Sequence, residues 1–223
     1  DLDDGSSNYI IYNNLMLSSG LKLREGFYRK VYNNIMVNKT LYPHVWFRNS
    51  GDEFYNNIIF EDRYRPAGNM DFSPWGKLMD RNFVHVKGMK GVEPASELAR
   101  QSGNDRHSLK GDALFSAPGL GDFSVRASSP ALKLGFRNFP MDRFGVRSRH
   151  LKALARTPDI PEVAGNRMEK RETVLVKKLG AEVRIAEGEG DLSVFGLMPE
   201  DLGRALVIVK VQKDGPCSSA GIL

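Results

Sequence analysis

The chain has 223 residues, 41% of them hydrophobic, with a net charge of +5 and a pI near 9.3. That length accommodates one large or two modest domains, and no apolar run is long enough to span a membrane. The single cysteine, Cys217, excludes an internal disulfide framework and a cysteine metal cluster; the basic residues are scattered without any nucleic-acid motif, so a solvated surface rather than a nucleic-acid partner is expected.

The chain opens on Asp1-Leu2-Asp3-Asp4, already inside a repeat and without a secretory signal, so a piece of a longer protein is expected. The repeat is clearest in Tyr12-Asn13-Asn14-Leu15, Tyr32-Asn33-Asn34-Ile35 and Tyr55-Asn56-Asn57-Ile58. Tyr12 precedes Tyr32 by 20 residues and Tyr32 precedes Tyr55 by 23, about the length one coil of a solenoid consumes. Each phrase has strand-like residues on both sides. The leucine-rich repeat, the other solenoid of this period, needs a Leu/Asn consensus that is absent. A right-handed parallel β-helix is therefore predicted, its coils about 4.8 Å apart. Apolar columns fill its bore, and asparagines form a hydrogen-bonded ladder at a bend.

A second landmark aligns Leu2-Asp3-Asp4-Gly5 with Leu23-Arg24-Glu25-Gly26 and with Phe47-Arg48-Asn49-Ser50. Strand alternation then turns Leu21, Leu23, Val45 and Phe47 inward and Lys22, Arg24, Trp46 and Arg48 outward. Residues 62–81 carry Pro66, Gly68, Pro74 and Gly76 and read as a loop, with Phe72 and Trp75 packed back over the coils. Asn82–Val86 reads as a strand. Pro94–Ser102 reads as a helix with Pro94 in its first turn and Gly103 at its C-cap. Asp112–Phe115, Gly121–Val125 and Ser129–Gly135 read as short strands and turns that close the stack, since an open solenoid end exposes strand edges.

The run Gly103-Asn104-Asp105-Arg106-His107-Ser108, with Asp112-Ala113-Leu114-Phe115, Gly121-Asp122-Phe123 and Ser129-Pro130-Ala131-Leu132, resembles the terminal coils of secreted bacterial β-helix proteins that act on carbohydrates. The resemblance covers roughly the first two thirds of the chain. It implies a carbohydrate-active protein, secreted, periplasmic or at the cell surface, with a polysaccharide or oligosaccharide as partner. From Thr157 the composition changes: two prolines and the charged run Arg167–Glu172 read as a linker over 157–172 between a 1–156 coil-and-cap domain and a third segment, 173–223. There Leu179-Gly180-Ala181-Glu182-Val183, Ala205–Val211 and Gly215–Ile222 resemble an incomplete bacterial PDZ domain. That resemblance implies capture of a protein C-terminus on the loop Lys178, Leu179, Gly180 and Ala181.

Candidate chemistry falls on the outer face of the first coils. The alignment stacks Asp4 over Glu25, and Asp3 over Arg24 and Arg48. Carboxylates about one coil apart approach the roughly 5–5.5 Å separation of a retaining glycosidase, and such close like charges push one pKa up. Asp4, Glu25 and Asp3 are the catalytic candidates, with Arg24, His44, Trp46 and Arg48 contacting substrate. Glycoside hydrolysis is the first expectation, and a lyase is its variant. A non-catalytic glycan- or protein-binding surface protein with a PDZ-like interaction module is the alternative. No cofactor is expected, apart from calcium on Asp3, Asp4 and Glu25 in the lyase variant. Gly188-Glu189-Gly190-Asp191 lacks the following Lys-Ser/Thr of a phosphate loop. His85 is expected to be packed or at the surface, and His107 lies too close in sequence to Asp105 and Ser108 to form a triad with them.

Overall fold

A computed structural model describes residues 1–66, 74–141, 143, 145–156, 159–163, 174–176, 181–185 and 206–211. The chain divides into two compact units, Asp1–Pro118 with Phe123–Asn166, and Gly119–Asp122 with Arg167–Leu223.

The first unit is a parallel β-solenoid of about four turns. One face is a parallel sheet of β1 (Ile10–Tyr12), β4 (Lys30–Tyr32), β7 (Glu53–Tyr55) and β9 (Leu78–Asp80). Its register puts Tyr12 on Tyr32, Tyr32 on Tyr55 and Tyr55 on Asp80, so the tyrosine-bearing turns stand in line as the repeat predicts. The second face is built from β2 (Leu15–Met16), β5 (Ile35–Met36), β8 (Ile58–Ile59), β10 (Phe83–His85) and β12 (Leu109–Gly111). β11 (Val92–Pro94) is added antiparallel at its edge. A third row pairs β3 (Leu21–Leu23) with β6 (Leu41–Pro43), and Leu2 bridges to Leu23. Val31, Phe54 and Met79 fill one inward column, and Leu23, Leu41 and Trp46 join the same core.

The corner between the first two faces repeats a two-residue device. Asn13, Asn33, Asn56 and Arg81 take left-handed backbone, with φ of 54, 55, 54 and 56°; asparagine accepts that region more readily than most residues. The next residue turns its side chain into the corner. Asn14 Nδ2 donates to Asn34 Oδ1 at 2.9 Å, Asn34 to Asn57 at 3.0 Å, and Asn57 to Asn82 at 3.2 Å. Each of those acceptor oxygens also receives the backbone N–H of the donor residue. The ladder therefore extends one rung beyond the Tyr-Asn-Asn phrases. All its amides donate in one direction, so it must end on a group with acceptor capacity to spare. Asp105 supplies it: Oδ1 accepts from Asn82 and Ser108, and Oδ2 from Tyr64 and Ser102. Burial pushes the Asp105 carboxyl up, while these hydrogen bonds pull it down.

The closing segment differs in part from expectation. Helix α1 spans Ser96–Ser102 and ends on Gly103 at φ 68°, as predicted, but Pro94 closes strand β11 instead of opening the helix. β13 (Phe115–Ala117), a 3-10 turn at Pro118–Leu120, and β14 (Asp122–Val125) follow. Ser129 then caps a short helix, α2 (Pro130–Lys133), where strands and turns were expected; its Oγ accepts from Ala131 N and Pro130 fits the first helical position. Phe123, Phe136 and Phe139 cover Ile35, Ile58 and Phe83, closing the second face. Helix α3 (Arg149–Leu154) is exposed. Within the expected loop, residues 78–80 form β9, and Tyr64 and Trp75 are buried in the core; Phe72 lies outside the described residues.

In the second unit, β15 (Val174–Val176), β16 (Ala181–Ile185) and β17 (Leu206–Val211) form an antiparallel sheet in the order β15-β16-β17. Its register shifts between Glu182 and Val183. The run Arg167–Glu172, the Gly188–Asp191 loop, Ala205 and Gly215–Ile222 lie outside the described residues.

Candidate functional site

The predicted stacking of the first two acidic phrases is observed. Arg24 N donates to Leu2 O at 3.0 Å, and Gly5 N donates to Glu25 O at 2.6 Å. Asp3 and Asp4 are thereby set one coil from Arg24 and Glu25. Gly5 at φ 79° completes the turn after Asp4. Gly26 permits the close approach of the two coils, because a Cβ there would lie 2.3 Å from the Ser6 carbonyl oxygen.

Arg24 is the centre of the cluster. Its Nη1 stands 2.9 Å from Asp3 Oδ1 and 3.2 Å from Asp4 Oδ1, and its Nε stands 2.8 Å from Glu25 Oε2. Lys22 adds ion pairs to Asp1 and Asp3 at 3.1 and 3.6 Å. Asp3 and Asp4 face solvent, their side chains 51% and 76% exposed, whereas Glu25 is 27% exposed and its Oε2 is buried beside Arg24 Nε. The hydrogen bond from Arg24 holds the Asp3 carboxyl below its ordinary value and raises the guanidinium in return. Arg24 thus counters the like-charge repulsion expected across the coil step. Three carboxylates from two neighbouring coils touch one guanidinium, an arrangement able to hold a polar ligand or to share proton transfer.

The third row corrects the alignment. Leu23 pairs with Pro43, and His44 N donates to Leu23 O at 2.9 Å. His44, rather than Arg48, therefore continues the Asp3–Arg24 column. The extra residues of the longer third coil fall after Pro43, which shifted the predicted alternation. Trp46 turns inward and is 1% exposed, so it does not present its ring to a sugar as expected. Val45 is on the surface, 38% exposed and at φ 46°. Phe47 is partly buried and stacks on Phe27 at 5.5 Å, and Arg48 is exposed. His44 is partly buried, with no partner at Nδ1. Lys178, Leu179 and Gly180 lie outside the described residues, and Ala181 is the buried first residue of β16.

Beneath the cluster is a buried ion pair that the sequence reading did not single out. Arg29 and Asp52 are both fully buried. Arg29 Nη2 donates to Asp52 Oδ2 at 2.5 Å, Nε donates to both carboxylate oxygens, and the Arg29 backbone N–H donates to Oδ1. Trp46 Nε1 donates to Asp52 Oδ2 and to Ser50 Oγ, which accounts for the inward turn of Trp46. The remaining arm, Arg29 Nη1, donates to the Arg24 carbonyl at 2.5 Å. The signal was present: Arg29 and Asp52 are 23 residues apart, the interval from Tyr32 to Tyr55, and opposite charges at a coil interval stack.

The histidines separate. His85 is buried between Phe60 and Phe115, accepts from Ala113 N through Nδ1, and is depressed to about 4 by burial. His107 is exposed, and its Nδ1 meets Asp80 Oδ2 at 2.7 Å. Among the described residues, no group of three or more His, Cys, Asp or Glu side chains is placed to hold a metal ion. Arg24 lies within 3.2 Å of a carboxylate oxygen of each of Asp3, Asp4 and Glu25. No described helix is long and apolar enough to cross a membrane.

No family model, no curated protein and no solved structure matches this chain. The fold and the cluster define a parallel β-solenoid with a carboxylate–arginine cluster on its first coils.

Proposed function

We propose that the protein is carbohydrate-active, a glycoside hydrolase whose solenoid presents a polysaccharide to Asp4 and Glu25, with Asp3 and Arg24 orienting them. The observation that carries this reading is the outward stacking of Asp4 and Glu25 on neighbouring coils around one guanidinium. Glycoside hydrolysis requires two carboxyl groups that flank the scissile bond. Arg24 pairs with both carboxylates and leaves His44 and Arg48 to meet sugar hydroxyls. The protein would act at the cell surface, in the periplasm or outside the cell. Asp4→Asn and Glu25→Gln should each abolish sugar release from a panel of plant and host glycans with an unchanged melting temperature. Release that survives both substitutions removes the carboxylate pair from the mechanism.

A second reading is a non-catalytic glycan- or protein-binding surface protein. It is favoured by the ion pairing of all three acids to Arg24, which leaves none of them free. Glycan binding without sugar release decides for it. Residues 173–223 are read as a PDZ-like module, with a peptide carboxylate held by backbone N–H groups around Lys178–Ala181. The antiparallel β15-β16-β17 sheet is compatible with that module. Titration with peptides bearing a free or an amidated C-terminus tests it, since only the free carboxylate should bind.

A further inference from the structure

Away from the acidic edge, the segment 60–65, Val86, the start of α1 and Lys110 of β12 enclose a groove of about 730 Å3. A second hollow of about 400 Å3, floored by Pro94 and Ala95, shares Asp62, Glu97 and Lys110 with it. The two hollows adjoin at these shared residues. Its volume lies in the range of ligand sites.

The lining has two parts. Phe60, Val86, Pro94 and Ala95 are the apolar part. Phe60 is held firmly, stacked on Phe115 at 5.8 Å and meeting the edge of His85 at 4.7 Å. The rim is charged, and most of its charges are paired. Lys110 Nζ lies 3.3 Å from Asp62 and 3.9 Å from Glu93. Arg65 pairs with Glu61, and Arg100 pairs with Glu97 at 2.5 Å. Arg63 lies on the same rim, its charge lowering the Glu97 carboxyl behind that of Arg100. A polyanion or polycation entering such a groove has to break pairs already made. An uncharged polyhydroxyl chain does not: fixed carboxylates accept from its hydroxyls, guanidinium and ammonium groups donate to them, and its C–H faces rest on Phe60 and Val86.

We propose that this groove is the binding subsite for an uncharged linear glycan, with Phe60 as the stacking platform and Arg63, Glu97 and Lys110 as hydrogen-bonding groups. The proposal rests on the carbohydrate reading above, and it adds the place of binding and the charge class of the ligand.

The test is binding of the full chain to soluble glucan, xylan and mannan as neutral probes, with polygalacturonate and chitosan as charged ones. The variants are Phe60→Ala, Arg63→Ala, Glu97→Gln and Lys110→Gln, with Lys133→Ala as a surface control. Phe60 also packs against the core, so the three rim variants keep the test valid if Phe60→Ala does not fold. The expected result is binding to at least one neutral glycan, weakened tenfold or more by each rim variant at an unchanged melting temperature and unaffected by Lys133→Ala. Rim variants that bind like the parent, beside Arg24→Ala or Asp4→Asn variants that do not, overturn this groove and leave the carbohydrate reading standing. Binding confined to a charged glycan overturns the ligand class and the inference with it. Binding to none of the probes overturns both.

Discussion

Arg29 donates from Nη1 to the backbone carbonyl of Arg24 at 2.5 Å. A guanidinium with no exposure thus grips the residue that organises the surface carboxylates, and Asp52 holds that guanidinium in turn. The exposed cluster and the buried pair are one mechanical unit.

Asp52→Ala should therefore be among the most damaging substitutions in the solenoid. It leaves Arg29 buried and uncompensated and removes one of the two acceptors of Trp46 Nε1, at a cost of about 3–5 kcal/mol. Removing both charges together, as Arg29→Met with Asp52→Leu, should cost much less than Asp52→Ala alone. Denaturant midpoints of the single and double variants measure the difference, and equal losses would contradict the account.

The asparagine ladder should be weakest at its first rung and most sensitive in its middle. Asn57 is fully buried, and its Oδ1 accepts the backbone N–H of Asn34. Asn57→Ala orphans that N–H, costing about 1–3 kcal/mol before any cavity is counted. Asn14 is exposed, and its Nδ2 donates onward to Asn34; Asn14→Ala should cost under about 1 kcal/mol, because water replaces the lost donor. Chemical denaturation of the two variants side by side tests the order.

His85 should make the solenoid acid-sensitive. Its folded value, about 4, lies below the ordinary histidine value of 6.5, because burial disfavours the imidazolium. The unfolded chain thus binds the proton more readily, and stability rises with pH wherever that holds. The contribution is fully present above about pH 6.5 and is lost as pH falls towards 4, by about 3 kcal/mol at the lower end. His85→Asn removes the titration while keeping an acceptor for Ala113 N. The pH dependence of its unfolding free energy should be flatter than that of the parent between these limits. Asp105 acts with the opposite sign. Its raised carboxyl stabilises the fold below the ordinary carboxylate value, and that contribution is lost as pH rises through the folded value. Asp105→Asn should remove this loss.

Gly26→Ala should part the first two coils. Its Cβ would meet a backbone oxygen, Ser6 O, which cannot rotate away as a side chain would. A loss of about 1–3 kcal/mol is expected, read as a lowered thermal midpoint. An unchanged midpoint would show that the coils can slide at no cost.

Much of the solenoid was legible in the chain itself. The tyrosine register, the asparagine ladder and the outward position of Asp3, Asp4 and Glu25 follow from phrases recurring at coil intervals, because stacking turns sequence period into spatial columns. The third row was not legible. Phe47-Arg48-Asn49-Ser50 looks like Leu23-Arg24-Glu25-Gly26, yet Pro43 is the residue that pairs with Leu23. A coil three residues longer can take up its surplus at any bend, and local pattern does not say which.

The sequence alone determined the kind of object: a stack of short strands with polar corners, because a repeated pattern of apolar and asparagine positions has one efficient way to bury the first and pair the second. Tertiary structure alone decided the surroundings of the candidate site. It turned Trp46 inward to meet Asp52, ran the buried Arg29 beneath Arg24, and ended the ladder on Asp105. Each of these joins groups from different coils whose partners are fixed by where an insertion bulges and which donor is left unpaired, and both are settled only when the coils close on one another.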